Sequence, residues 1–357
     1  MYICTYHMSS IKNIKVLSYP ELEKTFVALG EKPFRAKQVY EWLWKKSASS
    51  FDEMTNLSKP LREKLQKHFT LQSTSIHRKQ ISNDKTIKYI FELSDHNKVE
   101  GVLIPTNSRM TACISSQVGC SLTCKFCATG YLDRKRNLEA YEIYDQVVNI
   151  AKEAEENYQI PLSNIVYMGM GEPLLNYQNM LKSIEYITSE KGLGMSPKRI
   201  TVSTAGIAKM IKKLGDDQVK FNLALSLHAA NDEKRNKIMP INESNSLAAL
   251  KEALMYFYKK TKCRVTYEYI VFHGVNDTLE DAKELYDFTL HTPCKVNIIE
   301  YNPISQADYV NASGDAIDRF QQFLEKKGVV TNVRRSRGKD IDAACGQLAG
   351  KEKASTL

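Results

Sequence analysis

Three cysteines stand in the run Cys120-Ser-Leu-Thr-Cys124-Lys-Phe-Cys127. A C-x3-C-x2-C spacing brings three thiolates near enough to share one metal centre. A structural zinc is closed by four protein ligands, whereas a [4Fe-4S] cluster held by only three cysteines keeps one iron open to a substrate. The competing readings are a zinc knuckle and a chance cluster of thiols. Downstream, Met168-Gly-Met-Gly171-Glu172-Pro173 places a glycine and a carboxylate together. Gly171 lets a ligand approach the backbone, and Glu172 can pair with an ammonium group. The same stretch also suits a strand-terminating turn. Ser203, Ser226 and Asn302 suit ribose or carboxylate groups. Leu227 and His228 complete the Ser226-Leu-His228 segment, and His228 reads equally as a satisfied core histidine.

These residues need elements to hold them. From about residue 108 onward, short apolar runs alternate with amphipathic stretches, the pattern of βαβ units around a parallel sheet. Six strands are expected, over 111–116, 165–170, 199–204, 221–227, 265–272 and 296–301, with 329–333 as a possible last one. Helices are expected over 141–158 and 248–260, among others. Six such units suit an incomplete (β/α)6 barrel within an α/β fold, its site at the C-terminal strand ends. The polar strand ends named above and the cysteine loop then converge on one face. Before the barrel, helical patterns opening at Tyr19, Pro33 and Lys59 read as a small accessory bundle, and 86–93 with 99–104 as a hairpin. The expected organisation is therefore a helical domain (1–85), a hairpin linker (86–107), a partial barrel (108–335) and a tail (336–357).

The chain has 357 residues, 43% hydrophobic and 25% charged, enough for one large domain and a small one. It shows neither a membrane-length apolar run nor a secretory signal, so a cytoplasmic location is expected. In that reducing compartment eight cysteines do not read as a disulfide framework. Cys4, Cys263 and Cys294 have no motif around them and are assigned no role. The net charge of +9 is compatible with a polyanionic partner. Arg134-Lys135-Arg136 and the basic face near Arg35, Lys37, Lys45 and Lys46 are expected to contact phosphates. Phe34, Trp42 and Trp44 read as either bundle core or a stacking surface.

Taken together, the cysteine triplet, its aromatic before the last cysteine and the Gly-Glu-Pro resemble the radical S-adenosylmethionine (radical SAM) superfamily. Glu100, Cys113, Met168-Gly-Met-Gly-Glu-Pro-Leu-Leu-Asn176 and the tail Arg337-Gly-Lys-Asp-Ile-Asp-Ala-Ala-Cys345-Gly-Gln-Leu extend the likeness over nearly the whole chain. They resemble the RNA methyltransferases that modify adenine C2 in 23S rRNA and tRNA. The resemblance implies that Cys120, Cys124 and Cys127 hold the cluster. It implies S-adenosylmethionine contacts at Gly171, Glu172, Ser203, Ser226 to His228 and Asn302, and two such molecules per turnover. It further implies that Cys345 carries the methyl group, that Glu100 removes the C2 proton, and that Cys113 attacks the Cys345 sulfur, leaving a Cys113–Cys345 disulfide. An electron donor, a thiol reductant and a monomeric enzyme follow as expectations. Without the resemblance, Glu100 reads as a solvent-facing hairpin residue and Cys113 as a buried small hydrophobe. The close relatives that methylate C8 of the same rRNA adenine and confer antibiotic resistance share the cysteines, so they stand as the alternative enzyme. A zinc-stabilised, non-catalytic RNA-binding protein of the ribosome is the alternative outside catalysis.

Overall fold

A computed structural model describes residues 12–349. Cys4 and the polar end from Lys351 lie outside them. A short parallel ladder joins β1 (Lys12–Asn13) to β2 (Phe69–Thr70). Between them lie α1 (Tyr19–Ala28), α2 (Phe34–Trp44) and α3 (Lys59–His68), where helices were expected. α1 begins where Ser18 and Glu21 cap one another: the Ser18 amide donates to Glu21 Oε2 at 2.7 Å and the Glu21 amide to Ser18 Oγ at 3.4 Å. The aromatic residues of α2 divide between core and surface. Trp44 is fully buried and stacks on Tyr186 with ring centroids 3.6 Å apart. Trp42 instead lies under the Lys46 ammonium, 3.7 Å from its ring, and the exposed Phe34 lies under Arg35.

Among the described residues the main sheet has ten strands. β3 (Ser75–Ile81), β4 (Ile87–Glu92), β5 (Lys98–Thr106) and β6 (Arg109–Cys113) pair antiparallel in that order. The hairpin is therefore continuous with the barrel sheet, and β3 is a strand where none was expected. β7 (Gln117–Val118) and β8 (Arg136–Asn137) form a separate antiparallel clip around the cysteine loop. Pairing then runs parallel from β6 through β9 (Asn164–Tyr167), β10 (Ile200–Thr204), β11 (Asn222–Ser226), β12 (Val265–Ile270), β13 (Cys294–Ile299) and β14 (Thr331–Arg334). β14 is the last strand expected over 329–333 and makes the seventh parallel strand of the sheet among the described residues. The sheet does not close: β3 and β14 remain its edges.

Helices cover the outside. α4 (Ala140–Tyr158) and α5 (Tyr177–Thr188) precede and follow β9, and α6 (Ala208–Asp216) follows β10. α7 (Asp232–Ile238) and α8 (Leu247–Thr261) follow β11, α9 (Leu279–Thr289) follows β12, and α10 (Gly314–Lys326) follows β13. No helix of the described residues is long and apolar enough to cross a membrane. β6 stops at Cys113, short of the expected Ser116, because the next amides bond elsewhere. Ser115 N donates to Gln146 Oε1 and Ser116 N to the Met170 carbonyl, both at 2.9 Å.

One buried ion pair ties the start of the chain to α4. Lys15 Nζ lies 2.9 Å from Asp145 Oδ1, with side chains 2% and 6% exposed. Asp145 also accepts the Thr74 amide, and Lys15 donates to Ser73 Oγ.

The tail after β14 is strapped back onto the β3–β4 turn. Arg337 donates to the Asp84 carbonyl at 2.7 Å, and the Gly338 amide to Asp84 Oδ2 at 2.9 Å. Asp340 accepts from Ser82 Oγ and the Asn83 amide. Glu300 accepts from Arg335, the Ser336 amide and Lys339. Burial works against the charged form of Asp84, but hydrogen bonds from Thr86 and Gly338 outweigh it and lower its pKa to about 2. Glu300 behaves alike: burial is outweighed by Lys339, Ser336 and Arg335, and its pKa falls to about 2.

Two outcomes are expected. Lys15→Met strands a buried carboxylate and should destabilise the fold by about 3 to 5 kcal/mol in denaturant unfolding; a change under about 1 kcal/mol would mean the pair holds little. Asp84→Asn should raise amide hydrogen exchange over residues 338–346 while leaving the sheet protected. Because the folded pKa is depressed, the Asp84 contribution is present above the ordinary carboxylate value of about 4 and disappears as pH falls toward its folded value. Tail protection should therefore be flat from neutral pH down to about 5 and fall below about 3.

Candidate active site

A cavity of about 160 Å³ opens at the C-terminal ends of the parallel strands. Cys120, Cys124 and Cys127 form one wall, and Gly171 and Glu172 enter after β9. Ser203 comes from β10, Ser226 and His228 from β11 and just beyond, and Cys345 from the tail. Leu227 and Asn302 do not line it.

The cysteine loop is shaped by its backbone. Gly119 has φ +75°, and a Cβ there would lie 2.1 Å from the Asp133 carbonyl oxygen, so only glycine lets the two arms of the loop meet. The Leu122 amide donates to Cys120 Sγ at 3.4 Å. Burial raises the Cys120 thiol to about 11 and raises Cys124 and Cys127 as well. No three His, Cys, Asp or Glu side chains of the described residues stand grouped as ligands of one ion. Thiols around a cubane cluster stand wider apart than that, because each binds a different iron. Three soft donors on one cavity wall, spaced along the chain as C-x3-C-x2-C, fit a [4Fe-4S] group with an open iron.

Glu172 is 3% exposed. Its Oε1 accepts the Leu174 amide at 3.0 Å and its Oε2 the Ala205 amide at 2.7 Å. Burial raises its pKa to about 7 in spite of those two bonds. A cationic group in the cavity would restore its charge. Gly171 has φ +94°, and a Cβ would come within 2.5 Å of Gln117 Cβ. The glycine is thus required by Gln117 behind it, whatever ligand lies in front. Gln117 Oε1 accepts the Glu172 amide at 2.8 Å. Asn176 braces the turn, donating to the Ser116 and Leu138 carbonyls at 2.8 Å each.

His228 is 3% exposed, with φ +56°. Its Nδ1 accepts the Ile270 amide at 3.1 Å, and burial, then Arg235, lowers its pKa to about 3. A neutral ring accepting at Nδ1 carries its proton on Nε2. Both readings of His228 meet here: it is satisfied in the core and borders the cavity. Leu227 is fully buried, with its carbonyl held by Arg235 Nε at 3.0 Å.

The tail brings the last predicted residues in. Cys345 is exposed and borders two adjoining cavities. Cys113, 7% exposed, lines the second of these with Cys127, Met168 and Cys345. Burial raises both the Cys113 and Cys345 thiols; the Cys345 charge adds to the rise at Cys113, whereas Arg334 opposes it at Cys345. Asn302 Nδ2 donates to the Cys345 carbonyl at 3.1 Å, so its side chain positions the tail. The Ala128 amide donates to the Gly346 carbonyl at 2.7 Å, and Thr129 Oγ1 to that of Leu348 at 2.6 Å.

Glu100 is 1% exposed, against the solvent-facing reading of the bare sequence. It lines a third cavity on the other side of the tail, where Lys88 lies 3.5 Å away and the Ala349 amide donates to its Oε2 at 2.9 Å. Part of the expected phosphate-binding charge is spent internally. Arg136 makes a fork with Glu142 at 2.7 and 2.9 Å and reaches Asp95 at 2.6 Å.

Sequence reasoning did not find Arg235. It is completely buried and donates to the Leu227, Ala205 and Ser226 carbonyls and to Asn242 Oδ1. It thereby clamps the ends of β10 and β11, which carry the cavity wall. Gln117 and Ser115 were missed for the same reason: their partners are backbone atoms far along the chain.

Known proteins resemble this chain over nearly its whole length. Residues 12–71 match the family described as ribosomal RNA large subunit methyltransferase N-terminal domain, and residues 114–289 match the radical SAM superfamily. A protein of Cytophaga hutchinsonii named probable dual-specificity RNA methyltransferase RlmN is 65% identical over 356 residues, 99% of this chain and 98% of its own. A protein of the same name from Bacillus subtilis is 45% identical, over 93% of this chain and 92% of its own. The crystal structure of a radical SAM methyltransferase from Sphaerobacter thermophilus superposes with a TM-score of 0.90 at 38% identity, covering 95% of this chain and all of that one. Identity of this extent places the chain in the RlmN family of radical SAM dual-specificity RNA methyltransferases.

Proposed function

We propose that this enzyme transfers a methyl carbon to C2 of adenine, in 23S rRNA at the peptidyl-transferase centre and in tRNA at the adenine 3' of the anticodon, with Cys345 as carrier. The observation that carries the proposal is the position of Cys345: it borders the cysteine-loop cavity on one side and shares the adjoining cavity with Cys113 on the other. A C2 carbon of adenine is electron-poor and its C–H is scarcely acidic, so displacement of a methyl group by that carbon is not available. Membership of the superfamily implies a [4Fe-4S] cluster and S-adenosylmethionine, and the chemistry this pair supplies when bound at Cys120, Cys124 and Cys127 is a 5'-deoxyadenosyl radical.

The protein's residues do the rest. Glu172 offers its carboxylate to the ammonium end of the nucleoside ligand, Gly171 opens the backbone beside it, and Ser203 and Ser226 offer hydroxyls. The backbone around Leu227 and the neutral His228 complete that wall, and Asn302 holds the carrier loop. Cys345, methylated in a first reaction, presents its S-methyl group to the cavity, so that each turnover consumes two S-adenosylmethionine molecules. Loss of one hydrogen from that methyl leaves a carbon that adds to C2 and links the protein to RNA. Glu100 takes the C2 proton and the odd electron passes to the oxidised cluster that Cys120, Cys124 and Cys127 would hold; the Cys113 thiolate then attacks the Cys345 sulfur, breaking its bond to carbon, and a proton completes the methyl group of the freed adenine. A disulfide remains and an external thiol reductant resets it. The Ala349 amide donates to Glu100 Oε2, so the end of the tail lies beside the carboxylate given this role. Cation–aromatic pairs such as Trp42 with Lys46 offer the RNA a positive surface on the helical region.

Digestion of RNA modified by the purified enzyme should release 2-methyladenosine; 8-methyladenosine would refute the C2 assignment. Cys113→Ala should accumulate a covalent protein–RNA adduct on denaturing gels, and free methylated RNA without an adduct would contradict the disulfide step. Glu100→Gln should lower RNA methylation by about 100-fold or more while leaving the methylation of Cys345 intact. Equal loss of both reactions would assign Glu100 to cofactor binding instead.

A further inference from the structure

Glu268 lies on β12, 4% exposed, and lines the site cavity. Its Oε1 accepts from Asn297 Nδ2 at 2.9 Å and faces Arg334 at 3.9 Å. Its Oε2 is buried with no hydrogen-bond partner. Among the described residues it is the sole carboxylate oxygen in that condition. A buried, unsatisfied carboxylate oxygen is costly, and native proteins keep one where something else supplies the donor. The missing donor belongs in the cavity.

Its surroundings define the donor. Ser226 is the register partner of Glu268 on β11, and Ser203 Oγ lies 3.4 Å from Ser226 Oγ. Two hydroxyls and one carboxylate therefore share one polar corner, while Ile270, Ile299 and Met239 supply apolar walls to the same cavity. A cationic donor has a place already at Glu172, which enters the cavity after β9. What suits an acceptor-only oxygen flanked by hydroxyls, next to an apolar slot, is a sugar hydroxyl attached to a base. We propose that Glu268 binds the ribose of the nucleoside cofactor, its Oε2 accepting a hydrogen bond from a 2'- or 3'-hydroxyl, with Ser226 completing the pair. The proposal rests on the reading that the cavity takes S-adenosylmethionine, and it makes Glu268 a recognition residue that no sequence motif in this chain announced.

The test is equilibrium binding to cluster-loaded protein of S-adenosylmethionine and of its 2'-deoxy and 3'-deoxy analogues, in the wild type, Glu268→Gln and Glu268→Ala. The wild type should bind at least one analogue about 10- to 100-fold more weakly than S-adenosylmethionine, the range of a charge-assisted hydrogen bond. In both variants this discrimination should shrink to within about threefold, with iron content and melting temperature preserved. Should Glu268→Ala fold poorly, Glu268→Gln still separates the cases, since it keeps the shape and removes the charge. Discrimination that persists in Glu268→Gln would overturn the proposal. A wild type that binds none of the three nucleosides would overturn it together with the cofactor reading, whereas loss confined to the ribose contrast leaves that reading standing.

Discussion

The mouth of this protein depends on one constraint: residue 345 must be brought back, across more than two hundred residues of chain, against the loop that holds residues 120 to 127. Backbone hydrogen bonds make the return. Gly346 and Leu348 carbonyls accept from Ala128 and Thr129, and the Cys345 carbonyl accepts from Asn302. Upstream, Asp84 and Glu300 anchor the strap through Arg337, Gly338, Arg335 and Lys339. A thiol so held is fixed in place by its neighbours while its own sulfur remains free toward two cavities.

The strand ends impose a matching order on the other wall. Arg235 gathers carbonyls from β10 and β11 in one buried guanidinium, and Glu172 gathers amides from its own turn and from Ala205. Ala205 is therefore gripped at both its carbonyl and its amide. This crosslinking offsets part of the cost of burying two ionisable groups, and it fixes the cavity before any ligand arrives. Preorganisation of that sort limits the entropy lost when the ligand binds.

Much of this was legible in the sequence because it depends on local pattern. The capping pair Ser18 and Glu21, the prolines at the starts of α1 and α3 and the apolar runs of β9 to β13 all carry their own signals. The site cysteines, Gly171 and Glu172 were legible through spacing. What escaped depends on distant partners or on a muted pattern. β3 reads Ser-Ile-His-Arg-Lys-Gln-Ile, and its charged middle hides the alternation; as an edge strand it uses those charges against stray pairing. Arg235, Gln117 and Ser115 act on backbone atoms of other segments, which no spacing encodes. Glu100 looked exposed because a lone glutamate in a hairpin usually is; the tail that buries it arrives from the far end of the chain.

The central claim is that the methyl carbon passes through Cys345, and isotope tracing tests it most directly. Protein would be incubated with S-adenosylmethionine labelled in its methyl group, separated from free label, and its C-terminal peptide sequenced by mass spectrometry before and after adding RNA, reductant and unlabelled S-adenosylmethionine. The label should first appear as S-methylcysteine at Cys345 and then leave it for adenine. Labelled RNA made while Cys345 stays unmethylated, or label resting on another residue, would contradict the role assigned to the strapped tail.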